Sequence, residues 1–94
     1  MEAKMKIMAV CGHGIGSSFM MEMNIKKALA KIGVEAEVGH TDLASVTPAD
    51  ADVFVMAKDI ASSSNIAKDK IIVVKNIISV SEFEEKLTAY FNRA

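Results

Sequence analysis

Met5-Lys6-Ile7-Met8-Ala9-Val10-Cys11-Gly12-His13-Gly14-Ile15-Gly16-Ser17-Ser18 is the stretch that decides the fold of this chain. Met5 to Val10 is a short apolar run that ends in a glycine-rich turn, the pattern of a buried strand. From Ser17 the period turns helical, with Met21, Ile25, Ala28, Leu29 and Ile32 recurring at three- and four-residue steps. Ser17 and Ser18 can cap the helix start, and Gly33, after a last turn containing Lys31, stops it. A strand, a glycine-rich turn and a helix in that order open an α/β domain.

The rest of the chain continues the alternation. Val34 to Val38 alternates apolar and acidic residues and predicts an edge strand with one solvated face. Thr41 to Asp50 is a connection with some helical character that holds the only proline, Pro48. Val53 to Met56 predicts a third strand, and Asp59 to Ala67 a short helix or ordered loop around Ser62-Ser63-Ser64-Asn65. Ile71 to Val74 is β-branched throughout, which predicts a fourth strand buried on both faces. Ser81-x-x-Glu84 reads as a capping box for a last helix that buries Phe83, Leu87, Tyr90 and Phe91. The expected fold is a doubly wound, flavodoxin-like α/β domain, a three-layer sandwich around a four-stranded parallel sheet.

Composition sets the outer limits. The 94 residues suit one domain spanning 1–94, and at 51% apolar and 24% charged they are far from a disordered composition. No apolar run approaches the roughly 18–20 residues that cross a bilayer, so direct membrane insertion is not expected. Two lysines precede only four apolar residues before Cys11, too few for a secretory signal. A soluble, cytoplasmic domain is expected. The net charge of −1 and the scattered lysines argue against nucleic acid as a partner. A single cysteine makes no internal disulfide, so Cys11 is either a small buried hydrophobe or a reactive thiol.

Position favours the thiol. In a parallel α/β sheet, ligands bind at the carboxyl ends of strands where the winding reverses, and Cys11 closes the first strand. Gly12, Gly14 and Gly16 let backbone N–H groups converge, and the following helix adds free N–H groups and its positive dipole end. That makes a cradle for a tetrahedral dianion, in surroundings that favour a cysteine thiolate. A Walker A loop would need Gly-Lys-Ser/Thr, and Gly16-Ser17-Ser18 has no lysine. Gly12-x-Gly14-x-Gly16 also misses the dinucleotide spacing by one residue.

The loop Cys11-Gly-His-Gly-Ile-Gly-Ser-Ser18 and its setting resemble the IIB component of the bacterial phosphoenolpyruvate-dependent sugar phosphotransferase system (PTS). Among IIB types it is most similar to the ascorbate type and its galactitol-type relatives, with the phosphate-loop fold of lactose/cellobiose IIB proteins. The resemblance covers nearly the whole chain, and its specific part is the Cys11 loop. It implies that Cys11 accepts phosphate from a phosphohistidine of the partner IIA protein. The group then passes to a sugar, ascorbate-like or a polyol, held in the membrane component IIC. It also implies Gly12, His13, Gly14, Ile15, Gly16, Ser17 and Ser18 as the phosphate-binding loop, with no metal and no cofactor.

Residue chemistry agrees with that implication. A thiolate is a strong nucleophile, and its phosphoryl ester is reactive enough to pass the group to a hydroxyl. Low-molecular-weight phosphatases and arsenate reductases resemble a Cys-x5-Arg pattern, whereas Ser17 stands at the sixth position after Cys11. No Asp-Pro pair supplies a general acid either. A non-catalytic regulatory domain of the same fold is the other alternative. His13 is a candidate phosphate donor or an exposed turn residue, and His40 with Asp42 follows the second strand as a loop residue. Zinc on Cys11, His13 and His40 would be ligand-poor. Lys58 can face phosphate and Asp59 can cap the next helix, or the two form a solvated pair. Phe19, Met20 and Met23 leave the first helix apolar around much of its circumference, as core or, if exposed, as a docking patch.

Overall fold

The computed structural model describes residues 5–12 and 15–92, with only the backbone of 15–18. Strand β1 (Lys6–Cys11) leads to helix α1 (Ile15–Ile32), strand β2 (Glu37–Asp42) and strand β3 (Val53–Ala57). Helix α2 (Lys58–Ser63), a 3₁₀ turn (Lys68–Lys70), strand β4 (Ile71–Val74) and helix α3 (Val80–Asn92) complete it. The four strands are parallel in the order β2-β1-β3-β4, the doubly wound arrangement expected. Strands β2 and β3 flank β1 in the sheet, so β1 lies inside and its Ile7–Cys11 segment is buried throughout.

Two cores follow from the period of β1. Ile7 and Ala9 face α1 and α3, with Met21, Ile25, Val53, Val55, Phe83 and Leu87. Met8 and Val10 face the other way, with Phe54, Met56, Val46 and Ile66. The second layer is thin, because the β2–β3 crossover is a pair of turns rather than the partly helical connection expected. Val46 N–H closes one turn on Asp42 O at 3.1 Å, and Asp50 N–H closes the next on Thr47 O at 3.0 Å. Both turns are locked by carboxylates, Asp42 accepting from Ser45 N–H at 2.8 Å and Asp50 from Thr47 N–H at 2.9 Å. Local side-chain bonds of this kind draw the backbone away from helix.

Several boundaries differ from expectation. The alternation at Val34, Ala36 and Val38 does face the core, but β2 begins only at Glu37, whose partner in β1 is Lys6. It continues through Gly39 to Asp42 because β1 offers it pairing as far as Cys11. His40 and Asp42 are therefore strand residues, not loop residues. Helix α1 opens at Ile15, which puts Ser17 and Ser18 inside its first turn rather than ahead of it. Its end is as expected: Gly33 has φ 76° and Val34 N–H donates to Leu29 O at 3.0 Å. Strand β4 is not buried on both faces. Ile72 and Val74 are buried, but Val73 is 36% exposed at the sheet edge, beyond the short α2.

The cap of α3 also moves. Ser79, not Ser81, caps the helix, its Oγ accepting from Glu82 N–H at 3.2 Å. The spacing Ser79-x-x-Glu82 is a capping box one half-turn earlier, with a difference in its return bond. Glu82 accepts from the backbone N–H groups of Lys75 at 2.6 Å and Asn76 at 2.8 Å, tying the end of β4 to α3. Phe83 and Leu87 are buried as expected, whereas Tyr90 and Phe91 are only partly buried at the core margin.

Glu82 gives the fold a pH dependence. Burial pushes its carboxyl up, but the two backbone donors and the charges of Lys86 and Lys75 outweigh burial and hold it below the ordinary value. A depressed carboxyl stabilises above its unfolded value, and that contribution is lost as pH falls through its folded value. Glu82→Ala should lower stability by about 1–2 kcal/mol at pH 7. The gap between variant and wild type in denaturant melts should close as the pH falls below the carboxylate range.

Candidate active site

The winding reverses between β1 and β3, and the carboxyl ends of those two strands are where the chemistry-bearing residues gather. Cys11 is the last residue of β1 and only 6% exposed. Its carbonyl accepts from Leu43 N–H at 2.9 Å, which ties the strand end to the turn after β2. Beside it lies a cavity of about 200 Å³, lined by Cys11 and Gly12 with Met21 from α1, Asp59 and Ile60 from α2, and Ile77. Asn24 of α1 donates from Nδ2 to Ile77 O at 2.9 Å, so one wall of the cavity is hydrogen-bonded to the helix that follows the loop.

The predicted phosphate loop is placed in part. Gly12 leaves β1 half-buried, and a Cβ there would lie 2.6 Å from Ile60 Cδ1, so the absence of a side chain lets α2 close against the strand end. His13 and Gly14 lie outside the described residues. The backbones of Ile15, Gly16, Ser17 and Ser18 form the opening turn of α1, so their N–H groups are among those without a partner inside the helix. The end of β1 and the start of α1 thus stand on either side of positions 13 and 14.

Other candidates separate. Asp59 stands in the first turn of α2, which has no side-chain cap, and it lines both the Cys11 cavity and a neighbouring cleft of about 440 Å³, whereas Lys58 lines that cleft and not the Cys11 cavity. Ser62, Ser63 and Ser64 direct their hydroxyls to the carbonyls of Lys58, Asp59 and Ala61, so the serine run finishes α2. Phe19, Met20 and Met23 are 50%, 45% and 45% exposed, an apolar surface on the first turns of α1. Among the described residues no group of three His, Cys, Asp or Glu side chains could hold a metal.

The sequence reading missed Glu22. It sits among the apolar positions of α1 and looks like an ordinary solvated charge, yet it is only 9% exposed. Its Oε1 meets His40 Nδ1 on β2, and its Oε2 meets Lys26 Nζ at 2.9 Å. A Glu22–Lys26 pair four residues apart was the available signal.

With this geometry in view, the comparisons are specific. The family model for the lactose/cellobiose-specific IIB subunit of the PTS matches residues 6–89. The chain belongs to that IIB family. The ascorbate-specific PTS EIIB components of Salmonella choleraesuis and Escherichia coli O157:H7 are each 29% identical to it over 85 residues, covering 87% of this chain and 84% of theirs. The lactose-specific IIB domain of Streptococcus pneumoniae superposes with a TM-score of 0.62 at 14% identity, covering 96% of this chain and all of that one. A low-molecular-weight protein tyrosine phosphatase from Bacillus subtilis superposes almost as well, with a TM-score of 0.60 at 18% identity, over 95% and 98% of the two chains. At such identities these two likenesses show the fold alone. The protein is a IIB component of a sugar phosphotransferase system, and none of its described helices is long and apolar enough to cross a membrane.

The fit of α2 against Gly12 can be tested in this IIB protein. Gly12→Ala should cost about 1 kcal/mol, since the clashing atom is the movable end of a side chain. Ile60→Val removes Cδ1, and combined with Gly12→Ala it should restore most of the loss. Thermal melts of the four proteins in that cycle measure the coupling directly.

Proposed function

We propose that this IIB subunit carries a phosphoryl group on Cys11 Sγ, from a phosphohistidine of IIA to a sugar bound by the membrane component IIC. The observation that carries the reading is the placement of Cys11, buried at the carboxyl end of an interior strand shortly before α1 begins at Ile15, in a chain matched to the IIB family over residues 6–89. The thiolate attacks phosphorus, the P–N bond to imidazole breaks and its electron pair stays on nitrogen. In the second step a sugar hydroxyl attacks phosphorus, the S–P bond breaks with its electron pair on sulfur, and the hydroxyl proton passes to water or to a base beside the bound sugar. Neither step needs more from the protein than alignment and charge stabilisation.

The backbone N–H groups opening α1, over Ile15, Gly16, Ser17 and Ser18, supply that stabilisation together with Gly12, His13 and Gly14. Ser17 rather than arginine stands six residues after Cys11, so the bidentate clamp that suits hydrolysis is absent from the sequence. That favours transfer over hydrolysis on a scaffold that both chemistries use. The ascorbate-specific names of the relatives support an ascorbate-like substrate, and a polyol is the alternative that the galactitol-type likeness of the loop suggests. We place the protein in the cytoplasm, as a single domain over 1–94, where it meets IIA and IIC in turn. The exposed Phe19, Met20 and Met23 beside the loop suit that alternate docking.

Incubation with phosphoenolpyruvate, the general phosphotransferase proteins and a matching IIA should add one phosphoryl group, located on Cys11 by mass spectrometry. Cys11→Ser should abolish it. Label that survives the substitution overturns the proposal, and partner-free turnover of an aryl phosphate points to a phosphatase instead. Label that reaches Cys11 but no sugar, with IIC present, points to a regulatory domain.

A further inference from the structure

His40, Glu22, Lys26 and Phe19 meet on the face of the sheet that α1 covers. Glu22 Oε1 contacts His40 Nδ1, Glu22 Oε2 contacts Lys26 Nζ at 2.9 Å, and the Phe19 ring stands edge-on to the imidazole with centroids 5.7 Å apart. Burial pushes the Glu22 carboxyl up, but the hydrogen bonds and charges of Lys26 and His40 outweigh it and hold the group ionised. An ionised carboxylate only accepts, so His40 Nδ1 carries the hydrogen. Glu22 and Lys26 cancel in charge. The charge of the whole cluster is then that of the imidazole, zero when neutral and +1 when protonated.

The register puts this cluster close to Cys11. Ala9 pairs with His40 and Cys11 with Asp42, so Cys11 and His40 point to the same face on adjacent strands, two residues apart. Strand spacing and rise then separate their Cα atoms by about 8 Å. Among the described residues, the other charged groups near this face include Asp59 of α2, which lines the cavity beside Cys11, and the more distant Lys31–Glu84 pair between α1 and α3. Glu22 and Lys26 come from α1 and Cys11 from β1, while Asp42 of β2 is engaged by Ser45 N–H at 2.8 Å. The same contact fixes α1 against β2 two turns beyond the loop, so it also sets where the helix N-terminus stands.

We propose that Glu22 and His40 are positioning residues for phosphoryl transfer at Cys11, joining α1 to β2 and, when His40 is protonated, adding a positive charge that stabilises negative charge at Cys11. The proposal rests on the carrier role above. Coupling of this kind is reciprocal, so a negative group on Cys11 favours protonated His40 to the same degree.

The test follows the alkylation rate of Cys11 by iodoacetamide between pH 5 and 8 in the whole chain, for wild type, Glu22→Gln, His40→Gln and His13→Gln. In wild type the profile should show a second break besides the thiol ionisation. Above the break the rate should fall about threefold below the extrapolated acid limb, the size expected for one charge at this range. His40→Gln should remove the break, Glu22→Gln should move it, and His13→Gln should keep it. A wild-type profile with a single ionisation, or a break that follows His13, overturns the proposal. Should either cluster variant fail to fold, the His40 ring is titrated by NMR in wild type before and after carboxymethylation of Cys11 with iodoacetate. An upward shift of the midpoint supports the coupling, and an unchanged midpoint overturns it. Neither readout uses a phosphoryl donor. Absence of phosphorylation with the break present therefore removes the carrier role alone, and phosphorylation without the break removes the coupling alone.

Discussion

Everything at the candidate site depends on β1 being held on both faces and both edges. Ile7 and Ala9 anchor one core and Met8 and Val10 the other, while β2 and β3 pair with the strand on either side. Full burial of a large apolar side chain is worth about 1.5–3 kcal/mol, so a strand packed this way cannot shift without loss on both faces. Its carboxyl end is accordingly a fixed point. Cys11 stands on that point, with its carbonyl tied to Leu43 and its side chain beside the cavity where the winding reverses.

Helix α1 is located by polar contacts as well as by its apolar stripe. Met21, Ile25, Ala28 and Leu29 press it onto the sheet but would tolerate small rotations about the helix axis. Asn24 on one flank bonds to Ile77 O, and Glu22 on the other bonds to His40. Each of these two groups is less than a tenth exposed, and a buried polar group without its partner is costly, so rotation is penalised on both sides. Such restraint fixes the N-terminus of α1 more closely than extra hydrophobic area would.

The scaffold does not choose the chemistry. A lactose-specific IIB domain and a tyrosine phosphatase share it, and both likenesses leave the reaction open. In the reading proposed above, the choice lies in a few loop positions: a cysteine at the strand end, glycines after it, and serine six residues on. Strand ends present such positions to ligand with little bearing on the core, which lets one fold carry different reactions.

The sequence alone determined the alternation of strands and helices, the buried run ending at Cys11 and the Gly33 stop of α1. Each of these is local, set by apolar period, glycine conformation or a cap within a few residues. It did not determine where β2 runs, since Gly39 to Asp42 have no strand pattern and are extended only because β1 pairs with them. Nor did it show that Val73 meets solvent, which follows from the place of β4 at the sheet edge. Ser79 won the cap over Ser81 because Glu82 reaches the two N–H groups that end β4. Above all, Glu22 and His40 are 18 residues apart and unremarkable in the chain. Only parallel pairing of β2 with β1, under α1, brings them together on the face that carries Cys11.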